Sequence, residues 1–229
     1  MRSTRELDPD AGFVVLVTAS LLATGLIMFS PELLTTNWTT ALLRQELPSG
    51  FGSSSNFEKA MAFTGPKEGG CQNWARDNGN WHKGRRGFTC FGIVPYTAEV
   101  AVRDGVMTLP PGVDVWSLNK WFDADESGFK AIATKIYKHY YFDPIKADEL
   151  PEVVAVIAFD ISVNGGVGLS QRFLKSTAHI ENPKARASEI NRLMEAHYRD
   201  IVRRRPDQGE FLTGWLNRAA KQRELIKKY

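Results

Sequence analysis

The chain has 229 residues, 43% of them hydrophobic, with a formal net charge of +3 and a pI of about 8.8. That composition supports one globular domain with residues to spare and excludes wholesale disorder. The mild positive charge gives no argument for nucleic acid. Two cysteines and four scattered histidines (His82, His139, His179, His197) give none for a metal centre or a cofactor.

The first predicted element is residues 12–29, GFVVLVTASLLATGLIMF, a run of 18 residues without a charge. A soluble core helix rarely stays uncharged on every face for five turns, whereas a membrane-spanning helix needs about 17–25 apolar residues. Arg2 and Arg5 precede the run and the next basic residue is Arg44. The positive-inside rule then puts the N-terminus in the cytoplasm and the remainder outside. No A-x-A cleavage pattern follows LIMFSPELL, so the segment reads as an uncleaved anchor. Its small residues also lower its membrane affinity, so it could leave the bilayer again. The expected division is a cytoplasmic tip and transmembrane helix over 1–34, a linker region over 35–55 that ends in the Gly/Ser-rich PSGFGSSS, and a folded domain over 56–229.

Within the domain, NFEKAMAF predicts a short helix with Asn56 as its cap. Residues 67–94 hold too many glycines for a helix and predict loop and short strands. Further helices are expected over 97–103, from a cap at Asp125 to about Tyr141, and from Pro151 in a first turn to the glycines after Asn164. The last of these is apolar nearly all round and should be the buried central helix. Helices over about 169–177, 183–203 and 209–227 complete the pattern.

The stretch KEGGCQNWARDNGNWHKGRRGFTCFG, residues 67–92, carries the candidate chemistry. Glu68 follows the first helix and is flanked by Gly69 and Gly70, which let a bulky ligand approach the backbone. Asp77 lies nine residues on. Two carboxyl groups in different environments suit glycoside hydrolysis, one as proton donor and one activating water or stabilising the sugar cation. The hydroxyl of Thr89 could hold the water. From spacing alone, Glu68 equally reads as a turn group paired with Lys67, and Asp77 and Asn78 as turn formers. Cys71 and Cys90 bracket the loop and would pair in an oxidising compartment or remain buried thiols.

These motifs resemble the phage-type, N4-like muramidases of glycoside hydrolase family 108. The likeness rests on EGG at 68–70, on Asp77, and on TCFGI at 89–93. Downstream, PEVVAVIAFDISVNGGVG at 151–168 is similar to the family's buried FD-x-x-x-N-x-G helix. FLTGWLNR at 211–218 is similar to its F-x-x-GW-x-x-R signature. The resemblance spans roughly residues 56–218. It implies a mainly α, lysozyme-like helical domain with a small β/loop active-site region, no cofactor, and an endolysin whose N-terminus resembles a signal-arrest-release anchor.

The implied reaction is cleavage of the β-1,4 bond between N-acetylmuramic acid and N-acetylglucosamine, with Glu68 as general acid, Asp77 as second carboxylate and Thr89 orienting water. A lytic transglycosylase, a wall peptidase, or a wall-remodelling part of a secretion or conjugation machine are the alternatives. The implied partners are glycan strands, the inner membrane through residues 12–29, and a phage holin or a secretion apparatus. The implied location is the inner membrane, single-pass, with a monomeric catalytic domain in the periplasm and release from the anchor as an option.

One departure stands out. The family's Asp is followed within about five residues by its Thr, whereas twelve positions separate Asp77 from Thr89. The extra residues read either as a substrate-binding flap, with Trp74, Trp81, His82, Arg85 and Arg86 suited to sugars and peptide carboxylates, or as a solvated hairpin. Asp160 and Asn164, four apart on the buried helix, are expected to brace the loop carrying Glu68 or Thr89, with Asn164 as a candidate sugar contact. Trp215 and Tyr198 read as core anchors.

Overall fold

The computed structural model describes residues 55–65, 69–75 and 77–229. The anchor and linker expected over 1–54 and the acid Glu68 lie outside the described residues. Among the described residues no helix is long and apolar enough to cross a membrane.

The domain is mainly helical. Helix α1 spans Ser55–Thr64. Four two-residue strands follow, β1 Cys71–Gln72, β2 Trp81–His82, β3 Arg85–Arg86 and β4 Thr89–Cys90. Then come α2 Pro95–Arg103, α3 Leu118–Ala124 and α4 Glu126–Tyr137. Helices α5 Glu152–Gly165, α6 Val167–Ser176, α7 Pro183–Arg204 and α8 Gly209–Lys227 complete the chain. The strands form two separate antiparallel pairs, β1 with β4 and β2 with β3.

Helix α5 is the centre of the molecule. Every residue from Val153 to Val163 is buried, and α1, α6 and α7 pack around it. Its all-round apolar sequence requires that position, because a helix without a polar face has none to offer water. Phe57 of α1 meets Phe142 and Phe159 edge-on at centroid separations of 5.0 and 6.1 Å. Each such buried ring contributes roughly 1.5–3 kcal/mol. Gly166, with φ of 87°, ends α5 in a conformation that favours glycine.

The caps follow the sequence in part. Asp125 accepts from the Gly128 amide (2.8 Å) to open α4, and Asn182 accepts from Ala185 (2.9 Å) to open α7. Asn56 is not the cap of α1. It lies inside the helix and donates to the carbonyls of Ala147 and Leu150, both at 3.0 Å, fastening α1 to the turn before α5. Pro151 stands at the N-cap of α5, just outside its first turn. Helix α4 stops at Tyr137 and widens into a π turn over Lys138–Phe142. Helix α3 had no forecast, because seven residues are too few to display a helical period.

Candidate active site

The two short strand pairs organise the glycine-rich stretch. In the β1–β4 pair Cys71 faces Cys90 and Gln72 faces Thr89. Cys71 and Cys90 are joined by a disulfide across 19 positions of sequence. After β4 the chain reverses through Phe91 and Gly92, with φ of 45° and 73°. Ile93 then pairs back on Cys90, its N–H donating to the Cys90 carbonyl at 2.8 Å. Two successive left-handed residues are what a tight two-residue reversal needs, which accounts for the FG step of TCFGI.

Behind this pair lies a continuous line of side-chain hydrogen bonds. The Thr89 hydroxyl donates to Asn80 Oδ1 (2.5 Å), Asn80 Nδ2 donates to Gln72 Oε1 (2.7 Å), and Gln72 Nε2 donates to Asp77 Oδ2 (2.6 Å). Asp77 Oδ1 accepts from the Gly79 amide (2.9 Å) and so caps the 3-10 turn Asn78–Asn80. Asp77 is 6% exposed and Asn80 fully buried, while Thr89 and Gln72 are half-buried. The turn-forming role read for Asp77 is therefore present in the structure, together with a connection to Thr89. Gln72 and Asn80 carried no signal beyond being amides close to Asp77.

The residues between Asp77 and Thr89 form an outward hairpin. Strands β2 and β3 meet with Trp81 opposite Arg86, joined by Lys83 and Gly84 with φ of 51° and 73°. At its base the Gly87 amide donates to the Asn80 carbonyl (2.8 Å). The hairpin is docked and not merely solvated. The His82 side chain, 12% exposed, binds Glu99 of α2 and stacks on Trp116 at 6.2 Å with Tyr96 edge-on at 5.4 Å. Arg85 pairs with Asp114 (3.3 Å) and lies over the Trp116 ring at 4.6 Å. Lys83, then His82, hold the Glu99 carboxyl below the usual range. Ser117, then Arg85, do the same for Asp114.

Trp74 and Trp81 are each 47% exposed, and Trp81 Nε1 donates to the Ala75 carbonyl (2.8 Å), which ties the Trp81 indole to the residue after Trp74. Arg86 is exposed. Of the named contacts, then, the two tryptophans, Arg85 and Arg86 are exposed, Arg85 while paired with Asp114, and His82 is engaged by protein groups. Gly69 has φ of 66°, and both it and Gly70 are exposed with open space around them.

A second polar cluster supports the end of α1. Asp160 is fully buried on α5 and, among the described residues, accepts from Thr64 Oγ1 (2.9 Å), Arg218 Nε (2.9 Å), Arg218 Nη2 (2.7 Å) and Gln222 Nε2 (2.8 Å). Thr64 is the last residue of α1, so Asp160 fixes the point from which the chain leaves toward Glu68. Asn164, half-buried, turns its amide back to the Asp160 carbonyl (2.6 Å). Trp215 stacks between Tyr198 and Phe211 at 5.3 and 5.9 Å. Burial pushes the Tyr198 hydroxyl well above its ordinary range. Among the described residues no group of three or more His, Cys, Asp or Glu could hold a metal ion.

Residues 61–166 match the protein-family model described as Glycosyl hydrolase 108. The match takes in the disulfide, Asp77, Thr89 and Asp160, and stops short of the 211–218 motif. Comparisons with curated proteins and with solved structures give no match.

Proposed function

We propose that this protein is a peptidoglycan hydrolase, on the match of residues 61–166 to the Glycosyl hydrolase 108 family model. Its fold would be lysozyme-like and its activity that of an N-acetylmuramidase, cutting the β-1,4 bond between N-acetylmuramic acid and N-acetylglucosamine. The observation that carries the reading is that the family match encloses the Asp77–Thr89 network with every member hydrogen-bonded. Glu68 protonates the glycosidic oxygen as the C–O bond breaks. A water held at Thr89 adds to the anomeric carbon, and the proton it sheds re-forms the acid. Asp77 contributes a fixed negative charge that favours the oxocarbenium-like transition state, since both its oxygens are already held by protein donors. Trp74 and Trp81 offer apolar faces to sugar rings, and Arg86 and Asn164 offer polar contacts at the rim.

This reading puts the site on the periplasmic side of the inner membrane, with residues 12–29 as its anchor. The Cys71–Cys90 disulfide supports an oxidising compartment. Digestion of purified wall by wild type and by Glu68→Gln tests the assignment. Wild type should release reducing-end muropeptides and the variant essentially none, whereas undiminished clearing by the variant would sink the role of Glu68. The engaged oxygens of Asp77 favour one competing reading, a lytic transglycosylase that needs a single acid. Mass spectrometry separates it by its anhydro product, and Asp77→Asn would then be harmless.

A further inference from the structure

We propose that Asn80 and Gln72 are positioning residues that lock the Thr89 hydroxyl as a pure hydrogen-bond acceptor toward the substrate cleft; this rests on the muramidase reading above. The direction of every bond in the line is fixed by one peptide unit on each side. The Trp74 N–H, which can only donate, points at one end of the Gln72 amide (2.9 Å), so that end is Oε1. The Trp74 carbonyl, which can only accept, meets one end of the Asn80 amide (3.0 Å), so that end is Nδ2. With both amides oriented by backbone, Asn80 can present only Oδ1 to Thr89. Thr89 must therefore spend its single proton inward. At the far end Gln72 Nε2 faces Asp77 Oδ2 (2.6 Å), an acceptor that suits it.

The chemical consequence is specific. A free threonine hydroxyl can rotate and offer a water either its proton or a lone pair. Here the proton is committed to Asn80, so Thr89 has only lone pairs left to offer a bound water. A water bound there must donate to Thr89, which leaves the water's own lone pair free for the anomeric carbon. If Thr89 donated instead, it would tie up one of the water's two lone pairs and draw electron density from the attacking oxygen. Asn80 is fully buried and its partners are all protein atoms, so water does not compete for it. Asp77 closes the line at Gln72, in addition to the charge it contributes to the transition state.

The test is a double-mutant cycle on full-length protein, with muropeptide release from purified wall as readout and thermal unfolding of the same four proteins as control. Asn80→Ala should lower kcat roughly 100-fold, the order expected when a reacting group loses its alignment, with KM changed less than about twofold. Thr89→Val should lose a similar amount, and Thr89→Ser should recover most of it. The double variant should be no worse in kcat than Thr89→Val alone, because Asn80 acts through Thr89. Multiplying losses, or an Asn80→Ala protein with unchanged kcat, overturns the positioning role while leaving the muramidase reading intact. Coupling in thermal unfolding without coupling in kcat makes Asn80 a structural residue only, and also overturns it. A wild type that releases no muropeptides refutes the muramidase reading itself, and the catalytic use of Thr89 with it.

Discussion

Replacing Arg218 by Met should destabilise the domain by about 3–5 kcal/mol, the usual cost of leaving one partner of a buried ion pair without the other. The structure supports that magnitude independently. Asp160 is fully buried and the Arg218 side chain 12% exposed, so solvent screens the pair weakly. Two guanidinium N–H groups meet the carboxylate at 2.9 and 2.7 Å. Unit charges about 4 Å apart attract by roughly 4 kcal/mol at an effective dielectric constant near 20. For a domain of this size each kcal/mol shifts Tm by about 2–4 °C, giving a fall of roughly 6–20 °C by calorimetry. Asp160→Leu combined with Arg218→Met removes the unpaired carboxylate but strands the buried Thr64 and Gln222 donors, so only part of the loss should return. A fall below about 2 °C for Arg218→Met alone would refute the reasoning.

Reduction of Cys71–Cys90 releases a loop of 19 positions, which costs on the order of 3 kcal/mol in the chain-entropy model. Thermal melts with and without a phosphine reductant should differ by about 6–12 °C, and identical curves would refute it. Gly87→Ala places a Cβ 2.7 Å from Trp116 Cα and 2.9 Å from its carbonyl oxygen, both backbone atoms that cannot rotate away. A cost of about 1–3 kcal/mol in urea unfolding is expected. Glu99 has a lowered folded-state pKa, through Lys83 and then His82. Its contribution is therefore present above the ordinary glutamate value of 4.5 and is lost as pH falls through the lower folded value. Proteolysis at the hairpin should accelerate below that pH in wild type, and Glu99→Gln should be less sensitive over the same range, with the Arg85–Asp114 pair as the remaining contributor.

The helical layout was legible because it rests on local signals. Asp125 and Asn182 cap through bonds that span three residues, and the glycines after Asn164 stop α5 where the apolar run ends. The buried position of α5 followed from the same all-apolar run. The site was legible only as a list of residues. Nothing local in FDISVN announces that Asp160 will meet Arg218 fifty-eight positions later, or that Thr64 will complete the set. The cross-strand facing of Gln72 and Thr89 was likewise hidden, because two-residue strands carry no alternation to read. Seeing Trp81, His82 and Arg85 together suggested sugar contacts for all three. Burial against Trp116, Tyr96 and Glu99 engages His82 in docking, whereas Arg85 stays exposed while pairing with Asp114 over the Trp116 ring, and a tertiary partner on α2 has no trace in the hairpin's own sequence.

The spacing anomaly between Asp77 and Thr89 is resolved by the same hairpin. The Gly87 amide bonds the Asn80 carbonyl across its base, so the chain leaves at Asn80 and returns at Gly87. Residues 81–86 project outward from a path that otherwise continues from Asn80 to Gly87. Removing those six from the twelve positions between Asp77 and Thr89 leaves a spacing of six. That is close to the five expected from the resemblance. The insertion therefore need not disturb the Asp77–Gln72–Asn80–Thr89 line, because its ends are pinned together on the far side of Asn80 from Asp77. What the insertion adds is a docked arm carrying the exposed indole of Trp81, held to the Ala75 carbonyl. The polar line and the added aromatic surface are separable parts of one loop. Shortening the arm should then change how the wall is gripped, whereas altering Asn80 should change what happens to the bond.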